Sequence, residues 1–175
     1  MALAVCLLPD AEGDRVLRGL WRRLEEAGLP TLLTHTHGRH VPHLTLASLQ
    51  ADDADAVVAT LADVPAMAPF TMRFDALGVF PRSRCWLVPS ASTELIATQQ
   101  EVVRVLTAVD ARIHRGYLAG AWLPHLTLAP RLHLDDLPVV ARHCFDILPL
   151  TIRLTHAGLV DTSTGDVRPL PGLIE

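Results

Sequence analysis

Val41-Pro-His-Leu-Thr-Leu-Ala-Ser48 returns as Leu123-Pro-His-Leu-Thr-Leu-Ala-Pro130, with Pro-His-Leu-Thr-Leu-Ala identical at an offset of 82 residues. Two further pieces repeat in the same order. Phe70-Thr-Met-Arg-Phe-Asp-Ala-Leu-Gly78 parallels Leu150-Thr-Ile-Arg-Leu-Thr-His-Ala-Gly158, and Cys6-Leu-Leu-Pro9 parallels Trp86-Leu-Val-Pro89. The period exceeds that of a solenoid repeat, so the chain reads as two copies of one supersecondary unit.

Each copy gives the same succession. A strand at about 3–8 leads into a helix at about 11–27, with Asp10 as N-cap and Val16, Leu17, Leu20, Trp21 and Leu24 as the apolar stripe. Gly28 and Pro30 end that helix. The motif strand follows at about 42–48. Asp52 or Asp53 caps a short helix bearing Val57, Val58 and Leu61. A longer strand, about 69–80, turns Phe70, Met72 and Phe74 inward. The second copy gives a strand at 84–90, a helix at 93–113 carrying Ile96, Val103, Leu106 and Val109, and the motif strand at 124–129. A short helix at 136–144, a strand at 149–160 and a last strand near 167–174 complete it. Adjacent strands around Pro81-Arg-Ser-Arg84 favour mixed or antiparallel sheets over a doubly wound parallel sheet. The expected fold is α+β: one bilobed domain over residues 1–175, from repeats of about 1–80 and 81–160 plus a closing strand.

On a strand, side chains alternate faces. Leu44 and Leu46 enter the core, while His43 and Thr45 project together from the other face. His125 and Thr127 do the same in the second copy. An approximate two-fold axis would set the two pairs facing each other. Imidazoles exchange protons near neutral pH, and two of them can flank a phosphorus centre, with the hydroxyls donating to phosphate oxygens. A lone His on a strand is more often structural; the duplication of the whole hexapeptide favours catalysis.

Composition narrows the function classes. Half of the 175 residues are hydrophobic, so a sizeable core is available. No apolar run approaches the roughly 18 residues of a membrane span. The opening Met-Ala-Leu-Ala-Val-Cys-Leu-Leu-Pro-Asp lacks a basic start and reads as a strand, not a signal peptide. Cys6, Cys85 and Cys144, odd in number and set in apolar segments, read as buried thiols of a cytoplasmic protein. All 15 basic residues are Arg, and the net charge of −4 argues against broad nucleic-acid coating. No glycine-rich phosphate loop supports use of ATP.

The two His-x-Thr-Leu tetrapeptides resemble the 2H phosphoesterase superfamily, and within it the bacterial 2'-5' RNA ligase group, also described as RNA 2',3'-cyclic phosphodiesterases. The resemblance extends over essentially the whole chain. It implies two antiparallel sheets flanking a central cleft, with helices outside. It also implies that His43 donates a proton to the leaving oxygen, that His125 accepts one from attacking water, and that Thr45 and Thr127 hold the phosphate. Neither a metal nor a nucleotide cofactor is expected, nor an obligate protein partner. The implied activity is opening of 2',3'-cyclic phosphates at RNA or oligonucleotide ends to a 2'-phosphate, with 2'-5' ligation as the reverse. Alternatives are action on small nucleotides, such as ADP-ribose cyclic phosphate or 2'-5' oligonucleotides, and a nucleotide-binding module without turnover. Ser48 and Gln50 stand where the group commonly has an aromatic and a glycine. Pro130 displaces the expected basic residue to Arg131, the leading candidate for a further substrate contact.

Weaker candidates surround the motifs. His35, His37 and His40 could bind a metal, though a polar loop at the cleft rim is the simpler reading. Arg39, Arg82 and Arg84 are candidates for RNA phosphates. Phe80 and Trp86 are candidates for stacking a base, Trp86 reading more readily as core. His114, His133, His143 and His156 lack repeated partners and receive no role.

Overall fold

The repeated segments become strands and helices in the expected order. The computed structural model describes residues 2–51, 53–81 and 84–175. The elements are β1 (Ala2–Pro9), α1 (Ala11–Glu26), β2 (Leu44–Gln50), α2 (Ala54–Leu61), β3 (Phe70–Phe80) and β4 (Arg84–Pro89). Then come α3 (Thr93–Ala108), β5 (Arg112–Ile113), β6 (Leu126–Ala129), α4 (Leu137–Phe145), β7 (Leu150–Asp161) and β8 (Val167–Pro169). Asp52 and Arg82, each named above for a role, lie outside the described residues.

Local chemistry explains the boundaries. Asp10 caps α1 by accepting from the Gly13 N–H at 2.8 Å, and Ser92 caps α3 by accepting from Leu95 at 3.2 Å. Asp53 caps α2 through the Asp55 and Ala56 N–H groups. Gly28, at φ +83°, supplies the left-handed residue just past α1. On α1, Leu17, Leu20, Trp21 and Leu24 are buried, as the periodicity requires, while Val16 sits at the margin.

The second long helix departs from expectation twice. It ends at Ala108, because Asp110 takes a left-handed φ of 56° and Arg112–Ile113 peels away to pair with β2. Its buried face is Leu95, Gln99, Val102, Val105 and Leu106; of the expected stripe Leu106 is buried, Ile96 and Val103 are half-buried and Val109 is 54% exposed. Apolar residues occupy adjacent columns here, and a polar residue, Gln99, sits within the buried one. The closing strand is also shorter, giving way to a turn at Pro171–Leu173 before Ile174 bridges to Met67.

The strands form one eight-stranded sheet in the order β5-β2-β1-β7-β3-β4-β6, with β8 paired to β7. All named strand pairs are antiparallel. Two separate sheets were the expectation, and the central strands explain the difference. β3 and β7 pair through their first halves, Phe70↔Leu154 to Phe74↔Leu150, centred on Met72↔Ile152. Their second halves diverge, β3 to pair with β4 and β7 with β1. The internal symmetry therefore runs between β3 and β7, and each copy lends its last strand to the other lobe. The helices exchange likewise, α1 packing on α4 and α2 on α3. The motif strands β2 and β6, far apart along the hydrogen-bonded path, nevertheless touch, so the sheet curls around a cleft.

The main core lies between the sheet and the helices. Leu44, Leu46, Leu126 and Leu128 are at most 1% exposed within it. Truncating such leucines to alanine costs about 2–5 kcal/mol, so each motif strand is firmly seated. Cys6, Cys85 and Cys144 are buried free thiols. No helix among the described residues is long and apolar enough to cross a membrane.

Candidate active site

Each motif histidine stands just before its strand and directly after a proline. Proline keeps the preceding residue extended. The carbonyl of that residue then meets the imidazole two positions on. His43 Nδ1 donates to the Val41 carbonyl at 2.6 Å, and His125 Nδ1 donates to the Leu123 carbonyl at 2.7 Å. A carbonyl only accepts, so Nδ1 carries the hydrogen in both rings. The Nε2 atoms are the ones left to exchange protons.

The duplication extends to the register. The β1–β2 ladder slips between Val5 and Cys6, and the β4–β6 ladder slips between Cys85 and Trp86. Leu46 and Leu128 are the extra residues at these equivalent bulges. Bulges re-aim neighbouring side chains. Cys6 then pairs with Thr45 and Gly158, and its counterpart Trp86 pairs with Thr127 and Gly78.

The four motif residues share one cavity of about 340 Å³, also lined by Ala4, Cys6, Ser48, Arg84, Tyr117 and Thr162 among others. Among the described lining residues, Arg84 is the one arginine and no carboxylate is present. A chain of negative net charge thus presents an anion-compatible pocket. Thr45 is 6% exposed, its hydroxyl 3.7 Å from the Cys6 thiol. Its carbonyl accepts from Trp122 Nε1 at 3.1 Å.

The two sides of the cleft differ. Small residues, Ala4, Cys6 and Val160, floor the first. On the second, Trp86 stacks on Phe80 with centroids 5.0 Å apart, and both rings meet His125 edge-on at 5.7 and 5.2 Å. Trp86 lies so close over Gly78 that a Cβ there would sit 2.3 Å from the indole. Trp86 is thus buried, at 8% exposed, as the core reading of it expects, and it backs His125.

Burial holds the His43 imidazole below its ordinary pKa, partly offset by the Val41 carbonyl. His125 is lowered by burial too, with the Leu123 carbonyl opposing and the positive charges of His43 and Arg84 adding to the depression. For an acid–base pair, the base must be neutral and the acid protonated. Both limbs of kcat/KM in the free protein then fall below the usual imidazole value. We expect a bell whose maximum lies below pH 6.5. The kcat bell should lie higher, because a bound phosphate anion favours both imidazolium forms. A kcat/KM maximum on the alkaline side would contradict this electrostatic picture.

The histidine-rich loop meets the cavity only in part. His35, Thr36 and His40 line it. His37 turns away and packs under Gly165. His40 is pushed down to about 4 by burial and by the charges of His37, His43 and His35. Among the described residues no group of three His, Cys, Asp or Glu side chains is arranged to hold a metal ion. Arg39 is engaged at the rim by Asp166, at 3.1 Å, and by the Thr164 carbonyl. Arg131 is exposed and outside the cavity lining, its charge acting on His35.

Tyr117 was not legible as a site residue, because the sequence of its segment is not repeated in the first copy. It lines the cavity, and burial pushes its phenol up to about 12, against a hydrogen bond from Thr45. Gln99 joins this segment to β2, donating to the Leu46 carbonyl at 3.2 Å and the Tyr117 carbonyl at 2.8 Å.

Among solved structures, E. coli LigT complexed with ATP is similar at 19% identity and a TM-score of 0.61, over 99% of this chain and 98% of LigT. TT0787 of Thermus thermophilus is similar at 17% identity and 0.62, over 97% and 95% of the two chains. A protein described as a phosphoesterase gives 19% identity and 0.61, over 95% and 92%. These likenesses show the fold. No curated protein matches the chain significantly. The sequence model of the 2'-5' RNA ligase superfamily matches residues 13–166, a span containing both His-x-Thr motifs, and the chain accordingly belongs to that superfamily, the 2H phosphoesterases.

Proposed function

We propose that this protein is a metal-independent phosphodiesterase that opens 2',3'-cyclic phosphates at RNA or oligonucleotide ends, leaving a 2'-phosphate. One observation carries the reading: two Pro-His-x-Thr segments bring matched imidazoles, each with Nε2 left for proton exchange, to one cavity without carboxylates among its described lining residues. Family membership implies phosphodiesterase chemistry.

In the proposed reaction His125 Nε2 takes a proton from attacking water, whose oxygen bonds to phosphorus. The P–O3' bond breaks, and O3' takes the proton from His43 Nε2. Thr45 and Thr127 donate to non-bridging phosphate oxygens, and Arg84 balances their charge. The reverse reaction would join ends through a 2'-5' linkage, with acid and base exchanging roles. Arg131, exposed and outside the cavity lining, remains a candidate contact for longer substrates. A second reading, action on small nucleotides, is favoured by the cavity's size and the net charge of −4.

A substrate panel tests the proposal: a 2',3'-cyclic mononucleotide, an oligonucleotide ending in a cyclic phosphate, ADP-ribose cyclic phosphate and a 2'-5'-linked oligonucleotide. The expected result is turnover of the cyclic-phosphate-ended oligonucleotide to a 2'-phosphate, undiminished after exhaustive chelation. Binding without turnover would leave the module reading. Loss on chelation with recovery on adding zinc would reopen the His35, His37 and His40 cluster.

A further inference from the structure

Gln99 is 3% exposed, a polar side chain inside the apolar face of α3. A buried amide is costly unless its hydrogens find acceptors. Both hydrogens of the Gln99 Nε2 do, on the Leu46 carbonyl at 3.2 Å and the Tyr117 carbonyl at 2.8 Å. The two acceptors belong to different motifs. Leu46 directly follows Thr45 and is the extra residue at the β2 bulge. Tyr117 lies in the segment that runs on to His125.

That segment is pinned to β2 at further points. The β5 pairing reaches only Leu49 and Gln50. Beyond it, the His114 N–H donates to the Ser48 carbonyl at 2.7 Å, and Trp122 Nε1 donates to the Thr45 carbonyl at 3.1 Å. Leu123, next after Trp122, offers the carbonyl that accepts from His125 Nδ1. An unbroken series of contacts thus runs from the Thr45 backbone through Trp122 and Leu123 to the His125 ring.

The first motif has no matching tie. His40 stands 82 residues before Trp122, in the equivalent place. Its ring meets the Thr36 hydroxyl at 3.0 Å, and its carbonyl accepts from Arg18 at 3.3 Å. The approach to His43 is therefore held within its own copy. The bulge carbonyl of Leu128 accepts from the Leu32 N–H at 3.3 Å, a backbone bond where the first motif has the Gln99 side chain.

We propose that Gln99 is a positioning residue for His125, holding the segment that carries this imidazole in register with Thr45. The proposal rests on the reading of His125 as the base and Thr45 as a phosphate contact. Proton transfer needs the two in fixed relation, and a misplacement of about 1 Å at reacting groups costs on the order of 10²-fold. Gln99 touches neither substrate nor imidazole; it acts through the Tyr117–Leu123 backbone.

Gln99→Met keeps the side chain's length and removes both donors. On adenosine 2',3'-cyclic phosphate it should lower kcat, per folded molecule, by about 10–100-fold and leave KM within about threefold. A purely structural role would lower the unfolding midpoint and leave kcat alone. The sharper readout pairs Gln99→Met with each motif variant, on a nucleoside phosphodiester whose 4-nitrophenolate departs without an acid. Added to His125→Ala it should cost less than about twofold, since no base is left to place; added to His43→Ala it should keep its full factor. Trp122→Phe removes one N–H and keeps most of the ring. It should show the same pattern at smaller size, and it decides the matter should Gln99→Met not fold. An unchanged kcat, a raised KM with kcat intact, or an equal further loss on His125→Ala would each overturn the proposal while the proposed function stands. A wild type inert on the cyclic nucleotide would sink the proposed function and this inference with it.

Discussion

Replacing either motif histidine by alanine is expected to slow cyclic-phosphate opening by about 10²–10⁴-fold, the usual worth of general acid–base catalysis. The double variant should lose far less than the product of the single losses. The residues act as a unit, and once one proton transfer is gone the other has little left to assist. The fold should survive, because both rings stand ahead of their strands and Leu44, Leu46, Leu126 and Leu128 do the anchoring. Thr45→Val and Thr127→Val remove one hydroxyl each and keep the β-branched shape, so they should cost less. Rates on a 2',3'-cyclic mononucleotide, alongside circular dichroism, check this. Folded single variants with full turnover would remove the histidines from the mechanism.

Gly78→Ala should be the most damaging small substitution outside the motifs. The new Cβ would lie 2.3 Å from the Trp86 indole, which must move. Its neighbours are Phe80 and His125. Overpacking of this kind costs about 1–3 kcal/mol, and here the strain falls on the ring that backs His125. We expect a lowered unfolding midpoint and a fall in kcat well beyond what partial unfolding explains. Gly158→Ala is the matched control at the equivalent register position. There the first obstacle is the Val167 side chain at 2.7 Å, so the effect should be milder and confined to stability. Equal kinetic losses in both variants would show that Trp86 has no part in holding His125.

The contrast between these glycines marks how far the sequence could be read. The repeated hexapeptide placed His43, Thr45, His125 and Thr127 on one face and their leucines on the other, because strand alternation is a local property. Asp10 and Gly28 marked the ends of α1 for the same reason. The exchange of β3 and β7 between lobes was not legible, since it rests on the pairing of β7 with β1 and β3, both far away in sequence. The separate-sheet expectation failed there. Gln99 hid the buried face of α3, for a polar residue in an apolar column is intelligible only once the Leu46 and Tyr117 carbonyls are seen to receive it. Tyr117 and Ala121 lie in a stretch whose sequence differs between the two copies, so the duplication said nothing about them. Arg131 looked the best basic contact by its nearness to the second motif, but among the described residues Arg84, distant from that motif in sequence, is the arginine that reaches the cavity.

The symmetry of the two histidines is geometric, and the proposed reaction makes them chemically unlike. That claim is tested most directly by the leaving group. A nucleoside phosphodiester bearing 4-nitrophenolate in the position His43 would protonate needs no acid to depart. Turnover of this substrate should return His43→Ala to near the wild-type rate and leave His125→Ala crippled, because water must still be activated. Rescue of His125→Ala in place of His43→Ala would reverse the assignment, and rescue of neither variant would contradict the acid–base pair.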